Sequence, residues 1–147
     1  MRVYGLVQSQ IGSGHYVRMK HIQKGLKDNG HHMNLQHIEG KLSHEEMQMV
    51  GQMEIITDYS PDVLLLEGFP FMRYAWYEKH NSIKEVLKLA KSMGTQVITS
   101  VRDIAIQQND KRSAFAVEML NEYVDLVLVH GDKSFIELED TFPHTNN

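Results

Sequence analysis

The run Val63-Leu64-Leu65-Leu66, bracketed by Pro61-Asp62 and Glu67-Gly68, does most to limit what this chain can become. It has no polar face. An unbroken apolar run of this length reads as a strand buried on both sides, as in a parallel sheet covered by helices. Parallel neighbours must be joined by crossovers, usually helical. The rest of the chain should therefore alternate strand with helix.

The hydropathy pattern meets that demand. Val3-Tyr4-Gly5-Leu6-Val7 reads as a first strand. Residues 15–29 read as a helix with Met19, Ile22 and Leu26 on one face, Lys20, Gln23, Lys24 and Lys27 toward water, and Asn29-Gly30 as its stop. His32 to Ile38 alternates polar with apolar, as a second strand does. Ser43-His44-Glu45-Glu46 is a capping box opening a helix with Met47, Val50 and Met53, which must end before Pro61. Asn81 to Glu85 opens another helix, with Ile83, Val86, Leu87 and Ala90 on one face and Gly94 as its stop. Gln96 to Val101 is a fourth strand. Residues near 110–123 form a helix through Ala116, Met119, Leu120 and Tyr123, and Asp125 to Val129 leads a fifth strand. A short helix is expected around 134–139. This order predicts a doubly wound α/β sheet, mostly parallel, of about five or more strands, with right-handed crossovers. Residues 1–143 are expected to form one domain, with 144–147 a loose tail.

Bulk properties narrow the function. A chain of 147 residues is long enough for one real core. Its net charge of −4 comes with no basic run, which disfavours nucleic acid as a partner. It has no cysteine, which excludes thiolate chemistry and suits the cytoplasm. No apolar run approaches the roughly 20 residues that span a bilayer, so no transmembrane segment is expected. The nine histidines, His31, His32, His37 and His44 among them, lack the spaced partners of a zinc site, and no metal or other cofactor is expected.

Ligands of doubly wound sheets bind beyond the C-terminal ends of the strands, where strand order reverses. Polar side chains collect at those ends here. His15 and Arg18 follow the first strand, Glu67 the third, Arg102 and Asp103 the fourth, and His130 and Asp132 the fifth. The loop after the first strand holds Gly12 and Gly14, which permit a tight turn and close backbone approach, and a helix opens behind it. It is not a dinucleotide fingerprint, because Val17 stands where a third glycine is needed, although Glu39 would suit the ribose-binding acid. It is not a Walker loop either. His15, in the first helical turn, leans toward the strand ends and suits a general base on a hydroxyl, or else packs and caps the turn. Arg18 suits a carboxylate or phosphate, or else a salt bridge with Glu67 or Asp103. Glu67 either binds a ligand or neutralises Arg18 or Arg102. Arg102 and Asp103 can satisfy each other, and Asp132 can cap the last helix beside His130. The aromatic stretch Phe69, Phe71, Tyr74, Trp76 and Tyr77 is core packing, a groove lining or a contact with another domain.

Four motifs in order carry a family resemblance. They are Gly12-Ser13-Gly14-His15-Tyr16-Val17-Arg18, then Pro61 through Phe71, then Ser100-Val101-Arg102-Asp103-Ile104, then Asp125 through Asp132 with Thr141-Phe142-Pro143. Together they resemble the N-terminal half of GT-B glycosyltransferases of the family 28 type and its predicted-glycosyltransferase relatives, over nearly the whole chain. The resemblance implies a Rossmann-like domain that holds a sugar or glycolipid acceptor. It implies His15 as the base on the acceptor hydroxyl, with Gly12, Gly14, Arg18, Glu67, Arg102, Asp103, His130 and Asp132 as ligand-binding candidates, and no obligatory metal. The hexosyl donor, a nucleotide sugar, would be held by a C-terminal domain or partner subunit that this sequence does not include. Two other readings stand beside it. One is a non-catalytic binding or assembly module, self-associating as a homo-oligomer or docking a partner through the aromatic stretch. The other is a sugar-nucleotide hydrolase in which His15 activates water.

Overall fold

The computed structural model describes residues 1–8, 14–38, 42–70, 82–101 and 111–129. The elements run β1 (Arg2–Gln8), α1 (Gly14–Asp28), β2 (His32–Ile38), α2 (Leu42–Tyr59), β3 (Val63–Glu67), α3 (Ser82–Ser92), β4 (Gln96–Val101), α4 (Lys111–Glu122) and β5 (Leu126–Val129). The five strands form one sheet in the order β2-β1-β3-β4-β5, and every pairing is parallel. This is a Rossmann-like, doubly wound α/β fold. The expected helix around 134–139 lies outside the described residues.

Strand alternation sorts the core into two layers. Val3 and Val7 of β1, Met33 of β2 and Val63 and Leu65 of β3 pack with Met19 of α1 on one face. Tyr4, Leu6, Leu64, Leu66, Val97 and Val101 point the other way, into a larger cluster with Ile56 of α2, Ile83, Val86, Leu87 and Ala90 of α3, and Ala116, Met119 and Leu120 of α4. All five residues of β3 are buried, as its composition requires of a central parallel strand. On the α1 face, β5 leaves Leu126 and Leu128 exposed.

Two details depart from the simple periodic reading. Gln23 of α1 is half-buried rather than turned to water, because its Nε2 donates to the Met33 carbonyl of β2 at 3.0 Å. In α2 a buried Gln52 joins Ile56 against the sheet, because its Oε1 accepts the buried Tyr4 hydroxyl. Burial at that spot pushes the Tyr4 phenol well above its ordinary pKa. Helix ends follow the sequence signals. Gly30 and Gly94 close α1 and α3 at φ of 81° and 75°, conformations open to glycine and strained for most residues.

At the N-terminal ends of the strands, polar groups satisfy one another. The Arg2 amide donates to Asp62 Oδ2 at 2.8 Å. Thr95 Oγ1 donates to the Pro61 carbonyl at 2.9 Å. Asp125, entering β5, accepts from Lys91 Nζ at 2.6 and 2.7 Å and from the Val97 amide at 2.8 Å.

Gly5 sits in β1 on the α1 face, where a Cβ would lie 2.1 Å from Met33 Cε and 3.2 Å from both Leu35 Cδ1 and Met19 Cε. A methyl can displace the flexible end of Met33, but a branched side chain also meets Leu35 and Met19. Gly5→Val should therefore cost about 1–3 kcal/mol of stability by overpacking. Urea unfolding would show it, and an unchanged midpoint would contradict this packing. Asp125 gives a pH prediction. Partial burial alone would raise its pKa, but the bonds from Lys91 and Val97 outweigh that and hold the carboxyl below its ordinary value. Its contribution is therefore present above the unfolded-state pKa of about 3.9 and disappears as pH falls through the lower folded value. Asp125→Asn keeps the Val97 bond and should lose less than about 1 kcal/mol at neutral pH, given the exposed setting. Its stability should then fall less steeply in acid than that of the parent. Parallel acid limbs would contradict the assignment.

Candidate functional site

In the order β2-β1-β3-β4-β5 the direction of winding reverses between β1 and β3, so a ligand crevice is expected beyond the C-terminal ends of those two strands. Glu67 is the last residue of β3. The alternation that sends Val63 and Leu65 toward α1 sends Glu67 the same way, and its carboxylate ends the apolar row. On α1, His15 and Arg18 lie one turn apart at the head of the stripe that continues into Met19, Ile22 and Leu26. The periods put Glu67 on the α1 face of β3 and His15 and Arg18 at one end of the helix stripe, and the packing of α1 on the sheet brings them together.

They meet there. Arg18 Nη1 donates to Glu67 Oε1, and His15 Nδ1 lies 3.2 Å from the same oxygen. Glu67 is fully buried, and the side chains of Arg18 and His15 are 20% and 39% exposed. The charged pair is thus closed off from below, while the imidazole reaches solvent. Glu67 Oε2 is also buried, with no hydrogen-bond partner among the described residues. An ionised carboxylate only accepts hydrogen bonds, so this buried oxygen keeps unused acceptor capacity among the described residues.

The exit from β3 is rigidly tied. Gly68 takes a φ of 74° and its amide donates to the Ser100 carbonyl at 2.7 Å. Thr99 Oγ1 donates to the Phe69 carbonyl. Phe69 itself is core, its ring edge-on to Phe115 at 6.3 Å between centroids. The first member of the aromatic stretch is therefore a packing residue. Phe71, Tyr74, Trp76 and Tyr77 lie outside the described residues.

Of the site candidates, the expected base His15 and the ligand-binding candidates Arg18 and Glu67 come together, and Arg18 takes the Glu67 salt bridge that was one of its two readings. Gly14 begins α1, and among the described residues nothing lies within 4 Å of where its Cβ would stand. Gly12, Arg102, Asp103, His130 and Asp132 lie outside the described residues, as does Glu39. Sequence reasoning passed over Tyr16 and His37, whose rings meet at a tilt of 54° with centroids 4.8 Å apart beside this end of α1. The signal was there, since His37 follows Met33 and Leu35 on the α1 face of β2. Among the described residues no group of three or more potential ligands could hold a metal, and no helix is long and apolar enough to cross a membrane.

The geometry defines a doubly wound α/β domain with a buried carboxylate, an arginine and a part-exposed histidine at its switch point. The sequence matches no family model and no curated protein. Among solved structures it is similar to a 3-dehydroquinate dehydratase-like protein from Bifidobacterium longum, with 13% identity, a TM-score of 0.51, and coverage of 98% of this chain and 97% of that one. That likeness concerns the fold. A LacI family transcriptional regulator, CCPA from Weissella paramesenteroides with bound glucose, aligns at 9% identity and a TM-score of 0.46, over 67% of this chain and 31% of the regulator. The chain thus spans about a third of the regulator's length.

Removing one member of the buried ion pair leaves the other uncompensated, at about 3–5 kcal/mol. Arg18→Met should destabilise the domain on that scale, and adding Glu67→Leu should recover most of the loss. Two single losses that simply add in the double variant would contradict a direct pair.

Proposed function

We propose that this domain is the acceptor-binding half of a GT-B glycosyltransferase and that His15 is its general base. The observation that carries the reading is the position of His15. It stands on the first turn of α1 at the β1/β3 switch point, with Nδ1 against the Glu67 carboxylate and its ring part-exposed. A histidine held on one nitrogen can take a proton on the other.

In this reading an acceptor hydroxyl, of a sugar or glycolipid, lies in the crevice above β1 and β3. As its oxygen bonds to the anomeric carbon of the donor, its proton passes to His15 and the bond to the nucleoside diphosphate breaks. Arg18 stays bonded to Glu67 and anchors the base from below. The hexosyl donor is bound by a C-terminal domain or separate subunit facing this crevice, and the work is cytoplasmic. The four sequence motifs and the sheet order support the assignment, and the acceptor's identity is set by residues around the crevice.

The test is transfer by this chain completed with its cognate donor-binding half, assayed across nucleotide sugars. General-base catalysis contributes about 10²–10⁴-fold. His15→Ala should cost a factor in that range with the acceptor still bound. Unchanged transfer in the variant would contradict the role. Release of free sugar by the chain alone, lost in His15→Ala, would instead favour hydrolysis.

A further inference from the structure

The shared oxygen of Glu67 has a consequence for the proton on His15. Oε1 receives Arg18 Nη1, and His15 Nδ1 faces the same oxygen at 3.2 Å. A carboxylate oxygen held by a guanidinium is an acceptor and offers no proton. If neutral His15 carried its hydrogen on Nε2, the Nδ1 lone pair would point at a buried oxygen's lone pairs at 3.2 Å, too close for a water to lie between. If the hydrogen is on Nδ1, it donates to Oε1, and the two donors share one acceptor. From these contacts we infer that Glu67 is a positioning residue that locks neutral His15 as the Nδ1–H tautomer, with the Nε2 lone pair on the opposite side of a part-exposed ring.

The lock is built from three elements of different origin. The end of β3 supplies the buried carboxylate, which cannot turn to water. The first turn of α1 supplies the imidazole. The second turn supplies Arg18, whose bond to Oε1 holds that oxygen in place. A free histidine in water favours the other tautomer, so the lock selects the form that leaves Nε2 free to accept a proton. Its meaning for catalysis rests on the reading of His15 as the base. The tautomer itself is a property of the unliganded chain.

Long-range proton–nitrogen correlation of the imidazoles in the ¹⁵N-labelled chain tests this, at a pH where histidine is neutral and with His15→Asn to assign the His15 signals. The expected spectrum has His15 Nδ1 at the protonated-nitrogen position and Nε2 at the unprotonated one. The reverse pattern in the parent chain would overturn the inference, and that comparison needs no further variant. Glu67→Gln, whose amide oxygen can still accept, should keep the Nδ1–H pattern. Glu67→Met should shift it to Nε2–H, and a folded Glu67→Met chain that retained Nδ1–H would also overturn the lock. A locked tautomer in a chain that transfers no sugar when completed would remove the glycosyltransferase reading and leave this one standing.

Discussion

A single buried carboxylate organises the C-terminal end of the sheet. Glu67 closes a strand whose other four residues are apolar and buried. An unpaired charge there would be costly, several kcal/mol even after relaxation. Arg18 meets that requirement, and to do so α1 must lie with its first two turns over the end of β3. The same placement carries His15 to Glu67. The apolar contacts of Met19 with Val3, Val7, Val63 and Leu65 hold the remainder of the helix on the same line. Packing and electrostatics thus agree on one position for α1, as a sequence that specifies a single structure requires.

The two ends of the sheet contrast. At the N-terminal ends, Asp62, Thr95 and Asp125 are bonded to backbone amides, a backbone carbonyl and Lys91. Those groups close the fold. At the C-terminal end, Glu67 Oε2 remains without a hydrogen bond among the described residues, and His15 is part-exposed. Acceptor capacity kept in a buried place beside a part-exposed imidazole is the contrast on which the proposed site rests.

Much of this was legible in the sequence. The five strands, the four helices and their order follow from hydropathy periods, capping boxes and glycine stops, and strand boundaries such as 32–38 and 96–101 agree with the structure. The parallel sheet was foreshadowed by the Val63–Leu66 run. The meeting of His15, Arg18 and Glu67 was only half legible. Each residue was a candidate, yet Arg18 had two possible acidic partners, and a pattern of periods does not choose between residues brought together by tertiary contact. Gln52 was illegible as a buried residue because its partner, the Tyr4 hydroxyl, lies 48 positions away. Tyr16 and His37 were overlooked because each looked ordinary by itself, and only the packing of α1 on β2 brings their rings together.

The central claim is that His15 and Glu67 act as one unit in acceptor activation. A double-mutant cycle in kcat/KM for His15→Ala and Glu67→Gln, in the chain completed with its donor-binding half, addresses it most directly. The account predicts strong non-additivity, in which Glu67→Gln, keeping the tautomer but removing the charge that stabilises the imidazolium, slows the parent but changes nothing once His15 is gone. Losses that multiply independently would contradict it.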